Sequence, residues 1–141
     1  MRQEERRLHS YSWIIQSALH TFGRQGYAGA SMEQICAENH ISKGMMYHYF
    51  HSKDELFLAC ADAFFQSLYG TLKFDYLENG KVLPELRLQS FFLCAEQFFR
   101  THPGSRTFYE DAIAHPPEFL VEPLEKARRP FVEKNRTIIK T

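Results

Sequence analysis

At 141 residues the chain is long enough for one conventional hydrophobic core, or for two small units at most. Apolar residues make up 44% and charged residues 24%, ordinary usage for a globular protein, which excludes a disordered or fibrous chain. The 17 basic and 17 acidic side chains cancel, which argues against indiscriminate binding to polyanions. No run approaches the roughly 18 apolar residues of a membrane span, and the opening Met1-Arg-Gln-Glu-Glu-Arg-Arg lacks the apolar stretch of a secretory signal, so a cytoplasmic location is expected.

In chain order, Tyr11, Ile14, Ile15, Ala18, Leu19 and Phe22 recur at helical spacing with polar residues between them, which predicts an amphipathic helix over about 4–24 with Gly26 placed to end it. Ser31 opens a second, short helix, with Gln34 three residues on as the reciprocal partner of a capping box and Ile35 as the first buried anchor. The pattern breaks at Glu38, Asn39 and His40. Ile41 and Ser42 then supply an apolar residue and a new N-cap, so a third helix is predicted from Lys43 to about Tyr49. Two short helices joined by a turn of three or four residues, behind a longer one, is the layout of a helix-turn-helix. Ser52 and Glu55 repeat the capping-box pattern, and a fourth helix from Lys53 carries Leu56, Phe57, Cys60, Phe64 and Leu68 on one face.

Residues 70–83, with Gly70, Asn79 and Gly80, read as a connection. Pro84 suits the first position of the next helix, whose apolar face would be Leu88, Phe91, Phe92, Ala95, Phe98 and Phe99 before His102-Pro103-Gly104 stops it. A short helix bearing Phe108, Tyr109, Ala112 and Ile113 follows, and His115-Pro116-Pro117 interrupts. Leu120, Leu124, Ala127 and Phe131 are in register along the last segment, which Pro123 and Pro130 are expected to end or kink. No strand alternation outlasts a few residues, so the expected fold class is all-α: a three-helix DNA-binding unit over residues 1–53, then a helical unit over 54–141.

The charges are not evenly spread. Residues 1–53 hold six Lys or Arg against four Glu, and the rest hold eleven against thirteen; five of the seven histidines also lie in the front segment. Cys36, Cys60 and Cys94 are too far apart for a metal or redox motif and read as small core residues on apolar helix faces, where a thiolate is disfavoured. His48 and His51 stand three apart but no further ligand completes a metal site. Neither an enzyme nor a cofactor or metal protein is expected. Eleven of the thirteen phenylalanines follow residue 53, more than a small bundle needs for its core alone. Phe64, Phe91, Phe92, Phe98, Phe108 and Tyr109 are therefore the candidates to border a ligand cavity.

The stretch Ser42-Lys-Gly-Met-Met-Tyr-His-Tyr-Phe50, followed by His51-Ser-Lys53, carries the functional signal. Ser42 caps the third helix and leaves first-turn amides facing outward, where a phosphate can accept from them. Lys43 adds a cation. Gly44 costs about 1 kcal/mol of helix propensity relative to Ala, a cost that makes sense if a DNA backbone or groove wall must come close. Tyr47 and His48 can donate to phosphates or base edges, while Met46 and Phe50 point into the small core.

Ile14 to Ala18, Leu19, Phe22, Gly26-Tyr27, Ser31, Ile35, Ala37, Ile41-Ser42-Lys43-Gly44, Tyr47, Tyr49-Phe50, Lys53 and Leu56 resemble, in order and spacing, the DNA-binding signature of the TetR family over roughly the first 60 residues. The resemblance implies a dimeric, ligand-responsive repressor whose third helix enters the major groove of a palindromic operator. It implies that Ser31, Lys43, Tyr47 and Lys53 hold phosphates and that Gly44, Met45 and His48 face bases. It also implies a helical effector-binding and dimerisation part behind the head. The chain departs from the pattern in three places. His40 stands where Gly is usual, which points to left-handed backbone at a non-glycine residue. Met45 replaces a small hydroxyl residue, and the chain stops inside what would be the first of two late dimer-forming helices, so an incomplete C-terminal part is expected. The competing expectation is a helical small-molecule or protein-binding module that has lost DNA binding, motivated by the zero net charge, Met45 and the short C-terminus.

Overall fold

The computed structural model describes the backbone of residues 2–78 and 84–140, with side chains except those of 72–88, 90–91 and 135–140. Among these residues every regular element is helical, as expected: α1 Gln3–Gly29, α2 Met32–Glu38, α3 Lys43–Tyr49, α4 Lys53–Glu78, α5 Pro84–Thr101, α6 Ser105–Tyr109 and α7 Val121–Lys140. A π-turn, Glu110–Ala114, continues α6, and a 3₁₀ turn, Glu118–Leu120, precedes α7. None of the described helices is long and apolar enough to cross a membrane.

The periodicity of α1 turns Ile14, Ile15, Ala18 and Phe22 inward. The regular helix breaks at Gly26 (φ 79°, ψ 165°), and one further turn follows to Gly29. Ser31 and Ser42 each accept a first-turn amide, from Gln34 at 3.1 Å and Met45 at 3.0 Å, so α2 and α3 begin where the cap pattern placed them. Only half of the first capping box forms. The Gln34 side-chain amide turns forward to the Glu38 carboxylate, 3.0 Å away, a charged acceptor that competes with the return bond. At the start of α4, Glu55 accepts from the His51 amide at 2.7 Å, one residue before the expected partner, while Ser52 takes the Glu55 amide at 3.1 Å.

The turn between α2 and α3 is tight, and His40 adopts φ 55°, the left-handed conformation its position requires. Asn39 locks the turn from both sides: its side chain donates to the Ile35 carbonyl at 2.8 Å, and its own carbonyl accepts from Trp13 Nε1 at 3.0 Å. Arg24 and Glu38, 2.6 Å apart, tie α1 to α2 on the surface. Bonds from Gln34 and then Arg24 hold the Glu38 carboxyl below its ordinary range.

Two expectations fail in the C-terminal part. Residues 70–78 are not a connection, because α4 runs on through Gly70 to Glu78. A single helical glycine costs only about 1 kcal/mol, too little to stop a helix anchored by Leu56, Phe57, Cys60, Phe64 and Leu68, all buried. Nor do the prolines end the last helix. Pro123 lies in the first turn of α7, where a missing N–H is harmless, and Pro130 sits inside it. Beyond Pro130, Phe131 still stacks on Tyr69 of α4, with ring centroids 6.0 Å apart. The backbone of residues 79–83 and the side chains of Leu88 and Phe91 lie outside the described residues.

α4 is the central post. It packs on α1 toward the N-terminal half and on α5 and α7 toward the other, while α6 packs back on α1. The junction is aromatic: Phe57 of α4 stacks on Phe108 of α6 (4.9 Å) and meets Phe22 (5.1 Å) and Tyr27 (5.0 Å) edge-on. Cys36 and Cys60 are buried, as expected of core thiols, and desolvation pushes both thiols up; Cys94 is half-buried.

Candidate nucleic-acid interface

α3 is held by its own sequence. Met46 is fully buried, Ile41 and Phe50 nearly so, and Met45 is half-buried against the same core. The opposite face carries Lys43, Gly44, Tyr47 and His48, all exposed, with Tyr47 at 45% of its free surface. No heavy atom would lie within 4 Å of a Cβ built on Gly44, so its small size is not demanded by packing within the chain. Ser42 lies at the entry of this face with its Oγ on the Met45 amide. Lys43, Gly44, Tyr47 and His48, with Ser42, therefore share one exposed helix face.

The other expected site residues sit differently. Ser31 is exposed at the start of α2, its hydroxyl engaged as the cap of Gln34. Met45 is turned partly into the core. The Lys53 ammonium donates to the carbonyls of Tyr27 (2.7 Å) and Ala30 (3.1 Å) and lies 4.1 Å from the centre of the Tyr27 ring. It thus neutralises the carbonyl end of α1, using two of its three donors.

Two supports of the head carried no local pattern. Tyr49 donates its hydroxyl to the Arg7 carbonyl at 3.2 Å, and its ring meets Tyr11 edge-on at 5.8 Å, which staples the start of α1 to the end of α3. Tyr27 donates its hydroxyl to the Asp54 carboxylate beside Lys53. Burial, and then that bond to Asp54, push the Tyr27 hydroxyl above its ordinary pKa. This joins the kink of α1 to the first turn of α4.

Behind the head lies a cleft of about 320 Å³. Its floor is formed by Phe64, Phe98 and Phe108, three of the six expected cavity residues. Two others do not line it: Phe92 is 62% exposed on the outer side of α5, and Tyr109 is half-buried against Phe99 at 5.4 Å. On α5, positions 92 and 98 are six apart and so fall on different faces, which a count of aromatics does not resolve. The side chain of Phe91 lies outside the described residues. Missing from the expectation were Gln16, Leu19 and His20, which α1 itself contributes to one wall. At the cleft edge, Gly23 of α1 and Gly104 of the α5–α6 turn touch backbone to backbone: a Cβ on either would fall 3.0 Å from the other's Cα. Beyond it, Asp111 accepts the Tyr27 amide at 2.8 Å, fastening the π-turn to the kink in α1 across 84 residues of sequence.

A family model described as bacterial regulatory proteins of the tetR family matches residues 14–60. The HTH-type transcriptional regulator YuxN of Bacillus subtilis, itself uncharacterised, is 38% identical over 56 residues, 40% of this chain and 19% of that protein. The HTH-type transcriptional repressor NicS of Pseudomonas putida is 30% identical over 76 residues, 52% of this chain and 36% of that protein. The chain thus spans well under half the length of these curated relatives. The crystal structure of a protein described as a tetR family transcription regulator from Shewanella sp. PV-4 superposes with a TM-score of 0.77 at 18% identity, over 93% of this chain and 68% of that one. At that identity the superposition speaks for the fold.

Proposed function

The chain belongs to the TetR family of bacterial regulatory proteins, and we propose that it is a ligand-responsive repressor in which the exposed face of α3 reads double-stranded DNA in the major groove. The reading divides the chain at about residue 53, with the head before it and an effector-binding and dimerisation body after it. A homodimer presents two copies of α3 to the half-sites of a palindromic operator, and its work on the chromosome puts it in the cytoplasm.

The observation that carries this reading is the division of α3 into two faces: Met46 and Phe50 anchor it inside, leaving Lys43, Gly44, Tyr47 and His48 exposed outside, with the edge of His48 against the Tyr49 ring. Lys43 and Tyr47 hold phosphates beside the Ser42 cap, and His48 and the exposed part of Met45 meet base edges. Ser31 takes a further phosphate at the start of α2. Lys53 acts chiefly by fixing the carbonyl end of α1, with one donor left for DNA.

The test is a fluorescence-anisotropy titration against the DNA upstream of the chain's own gene, at several salt concentrations. Lys43→Ala and Tyr47→Ala should each weaken binding by about tenfold, and Lys43→Ala should lower the slope of log affinity against log salt by about 1. Gly44→Ala separates folding from function, since it should leave stability unchanged or raise it by about 0.5 kcal/mol while weakening DNA binding. Parent-like affinity in all three variants, or no salt dependence in the parent, would return the chain to the class of helical modules that have lost DNA binding.

A further inference from the structure

We propose that the cleft between head and body is a binding site for a small aromatic carboxylic acid. The inference deepens the ligand-responsive reading above by naming the chemical class of the effector and the wall through which it acts.

The lining is apolar below and neutral-polar above. Phe64, Phe98 and Phe108 form a buried aromatic floor, and among the lining side chains there is no Asp, Glu, Lys or Arg. The only titratable groups are two imidazoles, His20 from α1 and His102 from the end of α5. A cationic ligand would find no counter-charge in the lining, the Glu38 carboxylate near His20 being already paired with Arg24, whereas an acid would find two groups able to share or take its proton.

His102 is set up for this by its neighbours. Its ring stacks on Phe98 with centroids 4.0 Å apart, and Nδ1 lies 2.9 Å from the Phe98 carbonyl oxygen. A carbonyl oxygen only accepts, and Thr101 Oγ1, 3.1 Å from Nδ1, spends its own hydrogen on the Gln97 carbonyl at 2.9 Å; with the hydrogen on Nδ1, Nε2 is the ring atom left for a ligand. Neutral, Nε2 accepts the hydroxyl of a carboxylic acid. When the acid's proton moves onto it, the same contact becomes an imidazolium donating to a carboxylate, with no bond other than O–H broken. Ser105 also lines the cleft; it is 7% exposed, and its hydroxyl has no partner among the described residues. A buried hydroxyl without a partner is a cost that a ligand oxygen can relieve.

Size narrows the class. The volume of about 320 Å³ lies at the lower end of the range for organic ligand pockets, enough for one ring and a short acidic arm. Because α1 supplies Gln16, Leu19 and His20 to one wall, an occupant bears directly on the helix that carries the head.

The experiment titrates benzoate, benzamide and benzylammonium into the whole chain without DNA, by calorimetry and by imidazole NMR. Benzoate should bind one to one and shift the ring signals of His20 and His102. Benzylammonium should bind at least about tenfold more weakly, with benzamide between, and His20→Gln and His102→Gln should each weaken benzoate by about tenfold. Benzylammonium binding as well as benzoate, unmoved imidazole signals in the parent at about 10 mM benzoate, or full affinity in both folded variants would overturn the proposal. The parent's NMR response decides the matter even if a variant fails to fold. No DNA enters the measurement, so failure here is distinct from failure of the α3 face to bind an operator.

Discussion

Replacing Phe57 with Ala will lower the stability of the chain by about 3–5 kcal/mol. The ring is fully buried and touches three others, Phe22 and Tyr27 from α1 and Phe108 from α6, at centroid distances of 5.1, 5.0 and 4.9 Å. Removing it therefore opens a cavity where α1, α4 and α6 meet, and loses both the transfer energy of the ring and its aromatic contacts. No side chain is placed to fill the gap, because Phe22 and Phe108 are themselves fully or nearly fully buried in the same cluster. In urea the midpoint should fall while the slope of the transition stays at the parent value, since the surface exposed on unfolding hardly changes. Phe57→Leu, which retains most of the volume, should cost less than half as much. A loss below about 1 kcal/mol for the alanine variant would mean that head and body do not share this core.

The head was largely legible in the sequence because its determinants are local. α3 runs from Lys43 to Tyr49 as predicted, since Ser42 sets its start and Met46 and Phe50 fix its rotation within eight residues. The left-handed His40 was readable from the resemblance, which has Gly at its place in the turn. The body was harder for a physical reason. Glycine and proline are weak punctuation when tertiary packing opposes them: α4 continues through Gly70, and α7 contains Pro130, because the apolar faces on both sides stay in contact.

Readings of function divide the same way. The exposed residues of α3 follow from helix geometry once its buried face is known. Lys53 was assigned by position alone; its contacts with the Tyr27 and Ala30 carbonyls depend on how α1 ends, 23 and 26 residues earlier. In the cleft, Phe64, Phe98 and Phe108 were reached by aromatic content, whereas Phe92 and Tyr109 show the limit of that criterion, which has no direction. The Asp111 bond to the Tyr27 amide and the contact of Gly23 with Gly104 join residues more than 80 positions apart, and the wall from α1 faces residues more than 40 positions on. Apolar and glycine contacts at such separation leave no spacing to read.

That glycine contact yields the second large effect: Gly104→Ala should cost about 2–4 kcal/mol. Gly104 has φ +84°, where an L side chain is strained, and the new Cβ would fall 3.0 Å from Gly23 Cα and 3.1–3.2 Å from the Gly23 carbonyl. Both neighbours are backbone, so no flexible side chain can yield. Relief requires α1 to move away from the α5–α6 turn, which would widen the cleft and strain the Asp111 bond to the Tyr27 amide. The same substitution at Gly70 supplies the control. That residue lies inside α4 with nothing within 4 Å of where an added methyl would sit, so Gly70→Ala should instead stabilise by about 0.5–1 kcal/mol. Opposite signs at the two glycines, read from urea midpoints, would establish that Gly104 is held to glycine by its left-handed backbone together with the approach of α1. Equal and small effects would show that head and body can separate at this joint without cost, and that the cleft beside it has no firm wall through which to move the head.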